Sequence, residues 1–329
     1  MSPILSVTDL RVGFATDDGV VRAVDRVSFD LNPGEVVAIV GESGCGKSVT
    51  AQTLMGLTRS PNTTISGSVI FGGRDLTQLP DNELRSLRGE HIAMIFQDPM
   101  TSLNPVYRVG DQIAEMIRAH RQVSKKDAVA RAVELLRSVG IPNPERRVRD
   151  YPHEFSGGMR QRVMIAMALA LEPEVLIADE PTTALDVTIQ AQILGLLRTL
   201  NREKNVSVVL ITHDLGVVAE IADKVVVMYA GQVVEEAPLE ALFYQPRHPY
   251  TWGLLGSIPR PDEARPDRLT QIPGQPPSLL DPPTGCRFAA RCEYAFDDCT
   301  RLPPLRARPG DAGHLVRCWL TTDPRAANR

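Results

Sequence analysis

Cysteine is scarce in this chain, five residues in 329, and four of the five crowd into the last fifty positions, at Cys286, Cys292, Cys299 and Cys318. Long apolar runs are absent: nothing approaches the roughly eighteen consecutive residues that span a bilayer. The N-terminal stretch MSPILSVTDLRVGF lacks a basic region followed by an apolar one, so no signal peptide is expected. Runs of positive charge are missing too, none being longer than the pair Lys125-Lys126. With a formal net charge of -4, this argues against nucleic-acid binding by bulk charge. The expected compartment is the cytoplasm, where disulfides are rare and clustered cysteines more often mean metal. No internal repeat is visible. What remains, 43% hydrophobic and 23% charged residues, is ordinary globular composition, long enough for one large domain and something smaller.

Over about the first 250 residues, short apolar runs alternate with segments of helical spacing. VVAIV (Val36 to Val40), HIAMIF (His91 to Phe96), EVLIAD (Glu174 to Asp179), SVVLIT (Ser207 to Thr212) and KVVVMY (Lys224 to Tyr229) read as buried strands. VGDQIAEMIRAH and KDAVARAVELLRSVG read as helices. The alternation predicts an α/β fold with a mainly parallel sheet. Beyond Ile258 the composition shifts: eleven of the 26 prolines fall between Pro259 and Pro309. That tail is expected to be either a disordered linker or a small loop-rich module, since proline interrupts helices and ladders.

After VVAIV comes GESGCGKS, Gly41 to Ser48, the pattern G-x-x-x-x-G-K-S between a strand and a helix. Gly41, Gly44 and Gly46 let the backbone wrap closely, so that N–H groups from Ser43 through Val49 can face phosphate oxygens at a positive helix end. Lys47 is placed for the outer phosphates and Ser48 for Mg²⁺. Cys45 has two readings. A helix N-terminus lowers a thiol's pKa, which would suit a redox sensor; the preferred reading is a small residue whose backbone does the work. Further on, VLIADEP is an apolar strand ending in two carboxylates. Asp179 is suited to hold Mg²⁺ through water, and Glu180 to polarise an attacking water. In FSGGMRQR, Ser156, Gly157, Gly158 and Met159 open a second helix N-terminus. Two phosphate cradles in one chain suggest a head-to-tail dimer, each nucleotide held by the loop of one subunit and the Ser-Gly-Gly of the other.

The phosphate loop, Gln97, FSGGM, Asp179-Glu180, the ALD at 184–186 and His213 stand in an order that resembles the ATP-binding cassette (ABC) ATPases over about residues 4–250. The resemblance implies a P-loop NTPase with a RecA-like core, an antiparallel β subdomain and a helical subdomain at about 99–158. The tail would then be a small proline-rich, cysteine-containing C-terminal module, with the domain boundary at 258–259. It also implies roles: Phe14 stacking on adenine, Gln97 joining Ser48 and Asp179 around Mg²⁺ and linking to membrane subunits, Asp186 signalling across the dimer, and His213 contacting the γ-phosphate and positioning the water. The signature departs from the commonest form at Phe155 and Met159, but Ser156, Gly157 and Gly158 carry the key contacts, so a competent site is expected.

Three stretches, QDPMTSLNPVYRVGDQI, FSGGMRQRVMIAMAL and EALFYQPRHPYTWGLL, resemble the oligopeptide, dipeptide and nickel importer subfamily. That resemblance implies a second ATPase subunit, in many such systems a different chain, two permease subunits and an external substrate-binding protein. The chain would lie peripherally on the cytoplasmic face of the membrane and power uptake of peptides, with nickel or a glutathione-like cargo as the alternative. A soluble cassette ATPase of DNA repair or translation is disfavoured by the single phosphate loop, and a regulatory module that binds ATP with little turnover is the remaining alternative. The spacing Cys286-x₅-Cys292-x₆-Cys299-x₁₈-Cys318 lacks the tight C-x₂₋₄-C pair usual in structural zinc sites. Four loosely spaced thiols suit a [4Fe–4S] cluster, which the subfamily resemblance also implies, with zinc and free or disulfide-linked thiols as alternatives.

Overall fold

The computed structural model describes residues 2–183, 185–257, 272–308 and 311–325. Ala184, Pro259, Pro309 and the expected domain boundary at 258–259 lie outside them. The chain forms two compact units, one of Met1–Leu31, Val36–Thr77 and Thr212–Arg329, the other of Asn32–Glu35 and Gln78–Ile211.

The first unit opens with β1 (Leu5–Thr16) and β2 (Gly19–Leu31), antiparallel about Asp17-Asp18. Along β1 the buried residues are Leu5 and Val7, then Leu10 and Val12. The parity changes because Asp9, at φ 51°, forms an irregularity in the pairing; one extra residue in a strand returns the next apolar side chain to the core face. After β3 (Val36–Val40) and α1 (Lys47–Leu54), β4 (Thr63–Phe71) and β5 (Arg74–Asp75) complete a sheet of order β2-β1-β4-β5.

The second unit holds α2 (Asp81–Leu87), β6 (Ile92–Ile95), α3 (Pro99–Ser102), α4 (Val109–His120), α5 (Lys125–Ser138), α6 (Pro144–Arg147), α7 (Gly157–Ala168), β7 (Val175–Asp179), α8 (Val187–Lys204) and β8 (Ser207–Thr212). Strands β6, β7 and β8 pair in parallel, Ala93 opposite Leu176 and Ile177 opposite Val209. Helix α4 fills the window read from spacing, and its Val109, Ile113, Ala114 and Ile117 form one buried stripe. Helix α5 begins where Ser124 accepts a hydrogen bond from the amide of Asp127, and it buries Ala128, Ala132, Leu135 and Leu136.

The chain then returns to the first unit with α9 (Leu215–Ile221), β9 (Lys224–Tyr229), β10 (Gln232–Pro238), α10 (Leu239–Tyr244), α11 (Pro249–Gly256), β11 (Arg306–Arg308) and β12 (Asp311–Val316). Strand β9 runs parallel to β3 and turns into β10 through Ala230 and Gly231, both at positive φ. The described tail is the loop-rich alternative: short 3₁₀ turns at Ala289–Arg291 and Asp297–Thr300, then a hairpin whose β12 pairs with β10.

A fully buried carboxylate, Glu235 of β10, fastens this hairpin. It accepts the amides of Arg247 (2.6 Å) and His248 (2.9 Å) and lies 2.6 Å from Nε2 of His314 on β12. Burial pushes the pKa of His248 down to about 4, which keeps its ring neutral and able to accept the amide of Tyr250 at Nδ1.

Leu136 of α5 is fully buried. Truncation to alanine leaves a cavity in the helical layer, and Leu136→Ala is expected to cost about 2–5 kcal/mol, read as a lower urea midpoint.

Candidate nucleotide site and cysteine module

The loop after β3 has a shape that two glycines make possible. A Cβ on Gly41 (φ 154°) would lie 2.1 Å from the carbonyl oxygen of Met228, and one on Gly46 (φ 99°) 2.2 Å from that of Ala23. Ser43 and Gly44 are exposed. Lys47 is 5% exposed, and its ammonium donates to the carbonyls of Gly41 (2.8 Å) and Glu42 (3.0 Å). Ser48 and Val49 are half-buried in the first turn of α1, and Phe14 is half-buried on β1. Cys45 is buried, and burial pushes its thiol pKa up, the opposite of an activated sensor.

His213, exposed, follows β8. In the second unit, Asp179 is buried at the end of β7, and Glu180 comes next at φ 47°, a left-handed conformation that non-glycine residues seldom adopt and that clusters at functional sites. Its amide donates to the carbonyl of Ile211 (2.9 Å). Its carboxylate accepts from Nε2 of Gln97 (3.0 Å) and the hydroxyl of Thr183 (2.9 Å). Gln97 and Glu180, expected to serve one reaction, are thus brought together. Thr183 was missed by the motif reading, although its place three residues past the second carboxylate is a local signal.

Ser156 caps α7, its hydroxyl accepting from the amide of Met159 (3.4 Å). Gly158 meets α8, where a Cβ would come 2.8 Å from Ile189 Cγ2, whereas a Cβ on Gly157 would meet nothing within 4 Å. One glycine serves helix packing and the other leaves the helix N-terminus open. Asp186 caps α8 through the amide of Ile189 (2.9 Å).

The four tail cysteines are free and line one small cavity, walled otherwise by apolar and aromatic side chains with His248. Its free space, about 10 Å³, amounts to one water-sized sphere. Burial raises the thiol pKa of Cys286 and of Cys318 to about 11, with neighbouring thiols adding to it, and burial raises that of Cys292 as well. Among the described residues no group of three or more His, Cys, Asp or Glu is arranged to hold a metal ion. Two arginines of this segment reach the nucleotide loop and its supports: Arg287 donates to the carbonyl of Ala230 and to Asp25, and Arg291 pairs with Glu42. Neither was singled out from the sequence.

A strand-to-helix phosphate loop and a strand-end carboxylate pair define a P-loop nucleotide hydrolase. The ABC transporter family model matches residues 24–183, and the model of the oligopeptide/dipeptide transporter C-terminal region matches residues 234–299. The dipeptide transport ATP-binding protein DppD of Bacillus subtilis is 55% identical over 321 residues, 97% of this chain and 95% of that protein. The oligopeptide transport ATP-binding protein OppD of Salmonella typhimurium is 56% identical over 316 residues, 96% and 93%. A dimeric ATP-binding cassette solved in a post-hydrolysis state with ADP and Pi superposes with a TM-score of 0.65 at 28% identity, covering 71% of this chain and 98% of that one. The chain belongs to the ABC transporter family, as an ATP-binding subunit of its oligopeptide/dipeptide importer branch. It is accordingly an ATPase coupled to transport, and no described helix is long and apolar enough to cross a membrane.

Gly46→Ala would combine a positive φ with a collision against the backbone of Ala23. With strain on the order of 1–3 kcal/mol at the loop, ATP affinity of the purified chain is expected to fall about 5- to 150-fold, read by nucleotide titration.

Proposed function

We propose that the chain hydrolyses ATP at the cytoplasmic face of the membrane to drive uptake of peptides handed over by an external binding protein. It would work with a second ATPase subunit, a different chain, and two permease subunits. Residues 1–258 form the cassette and 259–329 the accessory module. The carrying observation for hydrolysis is Glu180, held in a left-handed conformation by a backbone bond and oriented by Gln97 and Thr183. A carboxylate so fixed is suited to take a proton from an attacking water. Lys47 and the loop amides bind the phosphates. By the family resemblance, Ser48, Asp179 and Gln97 are the residues that would hold Mg²⁺, a cation able to offset phosphate charge, His213 would contact the γ-phosphate, and Phe14 would stack on the base. Ser156, Gly157, Gly158 and Met159 present the second cradle, and Asp186 carries the signal between subunits. Exposed Met100, Val106 and Tyr107, in the stretch after Gln97, offer an apolar surface for a permease helix. The peptide cargo follows from the relatives' names and from the C-terminal region that this chain shares with peptide transporters.

The four tail thiols form a soft donor set around an apolar cavity with no carboxylate in its lining. Cys286, Cys292, Cys299 and Cys318 would be the ligands of a [4Fe–4S] cluster, a group held by four thiolates. The group would stabilise a segment poor in regular structure. Zinc is the alternative, disfavoured because the spacing lacks the tight C-x₂₋₄-C pair usual in structural zinc sites.

Two measurements test this reading. Glu180→Gln is expected to lower kcat for ATP hydrolysis by about 10²–10⁴ while ATP still binds, and hydrolysis at the wild-type rate would remove Glu180 from the role of base. Anaerobic purification followed by iron, sulfide and zinc assays is expected to give a four-to-four iron–sulfide complement that Cys292→Ser abolishes. Stoichiometric zinc, or no metal, would refute the cluster.

A further inference from the structure

Glu42 is the second residue of the phosphate loop, an acidic side chain in a loop that takes a polyanion. Its backbone is fixed on both sides: its amide donates to the hydroxyl of Tyr250 (2.8 Å), and its carbonyl accepts from Lys47 Nζ (3.0 Å). Its carboxylate meets Arg291, which lies 249 positions away, next to Cys292, in a two-pronged contact. Nη1 reaches Oε2 at 2.7 Å, and Nη2 reaches Oε1 at 3.0 Å. The arginine side chain is 5% exposed. Its remaining donors are used on the carbonyls of Pro273 (2.8 Å) and Ile272 (3.1 Å) and on the hydroxyl of Tyr229 (3.3 Å). The guanidinium also lies 5.7 Å and 5.9 Å from the ring centroids of Tyr229 and Phe288. Tyr229, Tyr250 and Phe288 pack on one another behind the loop, with centroids 4.6–5.5 Å apart.

We infer that Arg291 is a positioning residue for ATP binding: it reaches from the cysteine module to neutralise and orient Glu42, so that the loop can accept phosphates. A planar fork suits this task, because it fixes both carboxylate oxygens at once. Glu42 is the only acidic residue between Gly41 and Ser48. Without its partner, its charge would face the incoming nucleotide uncompensated, and its side chain would lose its fixed direction. Arg291 itself touches no phosphate in this scheme. The inference rests on the arginine and the loop, not on any guest in the cysteine cavity.

The test uses the full-length chain, titrated with a fluorescent N-methylanthraniloyl ATP analogue and assayed for ATP hydrolysis. Arg291→Ala is expected to raise Kd and KM about tenfold with a smaller change in kcat, the usual mark of losing one partner of a part-buried charge pair. Added salt should shrink the defect as the freed carboxylate is screened. Adding Glu42→Gln to Arg291→Ala should bring Kd back to within about threefold of wild type, since the uncompensated charge is gone. A merely structural arginine would give no such recovery. The inference falls if folded Arg291→Ala binds the analogue as wild type does, or if the double variant stays as weak as the single one. Should Arg291→Ala fail to fold, Arg291→Lys keeps the charge and loses the fork. It is expected to raise Kd by about threefold, and a wild-type Kd for it would overturn the orienting role.

Discussion

Everything at the phosphate loop depends on backbone passing closely against backbone. Where Gly41 and Gly46 would carry side chains, the carbonyls of Met228 and Ala23 already stand. The loop is therefore moulded by the end of β9 and by β2, segments far from it in sequence. The turn after β9 adds a direct bond, the amide of Gly231 donating to the carbonyl of Cys45 (2.9 Å). That turn is steadied in its turn by Arg287, which holds the carbonyl of Ala230 and the carboxylate of Asp25, a residue of β2. A loop that must present amides to an anion without rearranging benefits from such rigidity, because preorganised donors need no reordering when the anion arrives.

The second unit solves a related problem with side chains. Glu180 sits in a conformation that costs energy and persists only where the surroundings over-determine it. Here a backbone bond to β8, an amide nitrogen from Gln97 and a hydroxyl from Thr183 supply that determination. Gly157 and Gly158 divide two duties between neighbours, one leaving the start of α7 uncovered and the other allowing α8 to lie close. Adjacent identical residues thus serve opposite geometric ends.

Some of this was legible in the sequence for a clear reason. Strands β3, β6, β7, β8 and β9 are parallel and buried almost throughout, so each reads as an unbroken apolar run. The phosphate loop and the carboxylate pair were legible because their chemistry lies in backbone and short spacing. Strands β1, β2 and β4 were harder to see: they alternate, they carry irregular pairings, and the one at Asp9 switches the buried parity in mid-strand. Strands β11 and β12 are short and lie in the proline-rich tail, where composition argues against any ladder. Arg291 and Glu42 stand 249 positions apart, and neither residue leaves a local trace of the other. A contact made only by folding is invisible to spacing. The burial of Cys45 is likewise a property that the motif alone does not contain.

The hairpin of β11 and β12, the buried Glu235 and the two arginines place the described tail inside the same compact unit as the phosphate loop. This has a consequence for descent. An appendage joined by a linker can be traded among relatives, because its surface owes nothing to its host. Here Arg287 presupposes Asp25, Arg291 presupposes Glu42, and His314 presupposes Glu235, so ancestral grafting would have had to carry matched residues from three distant stretches of the cassette. A tail exchanged without those three partners would leave Arg287, Arg291 and His314 without the acids they meet here.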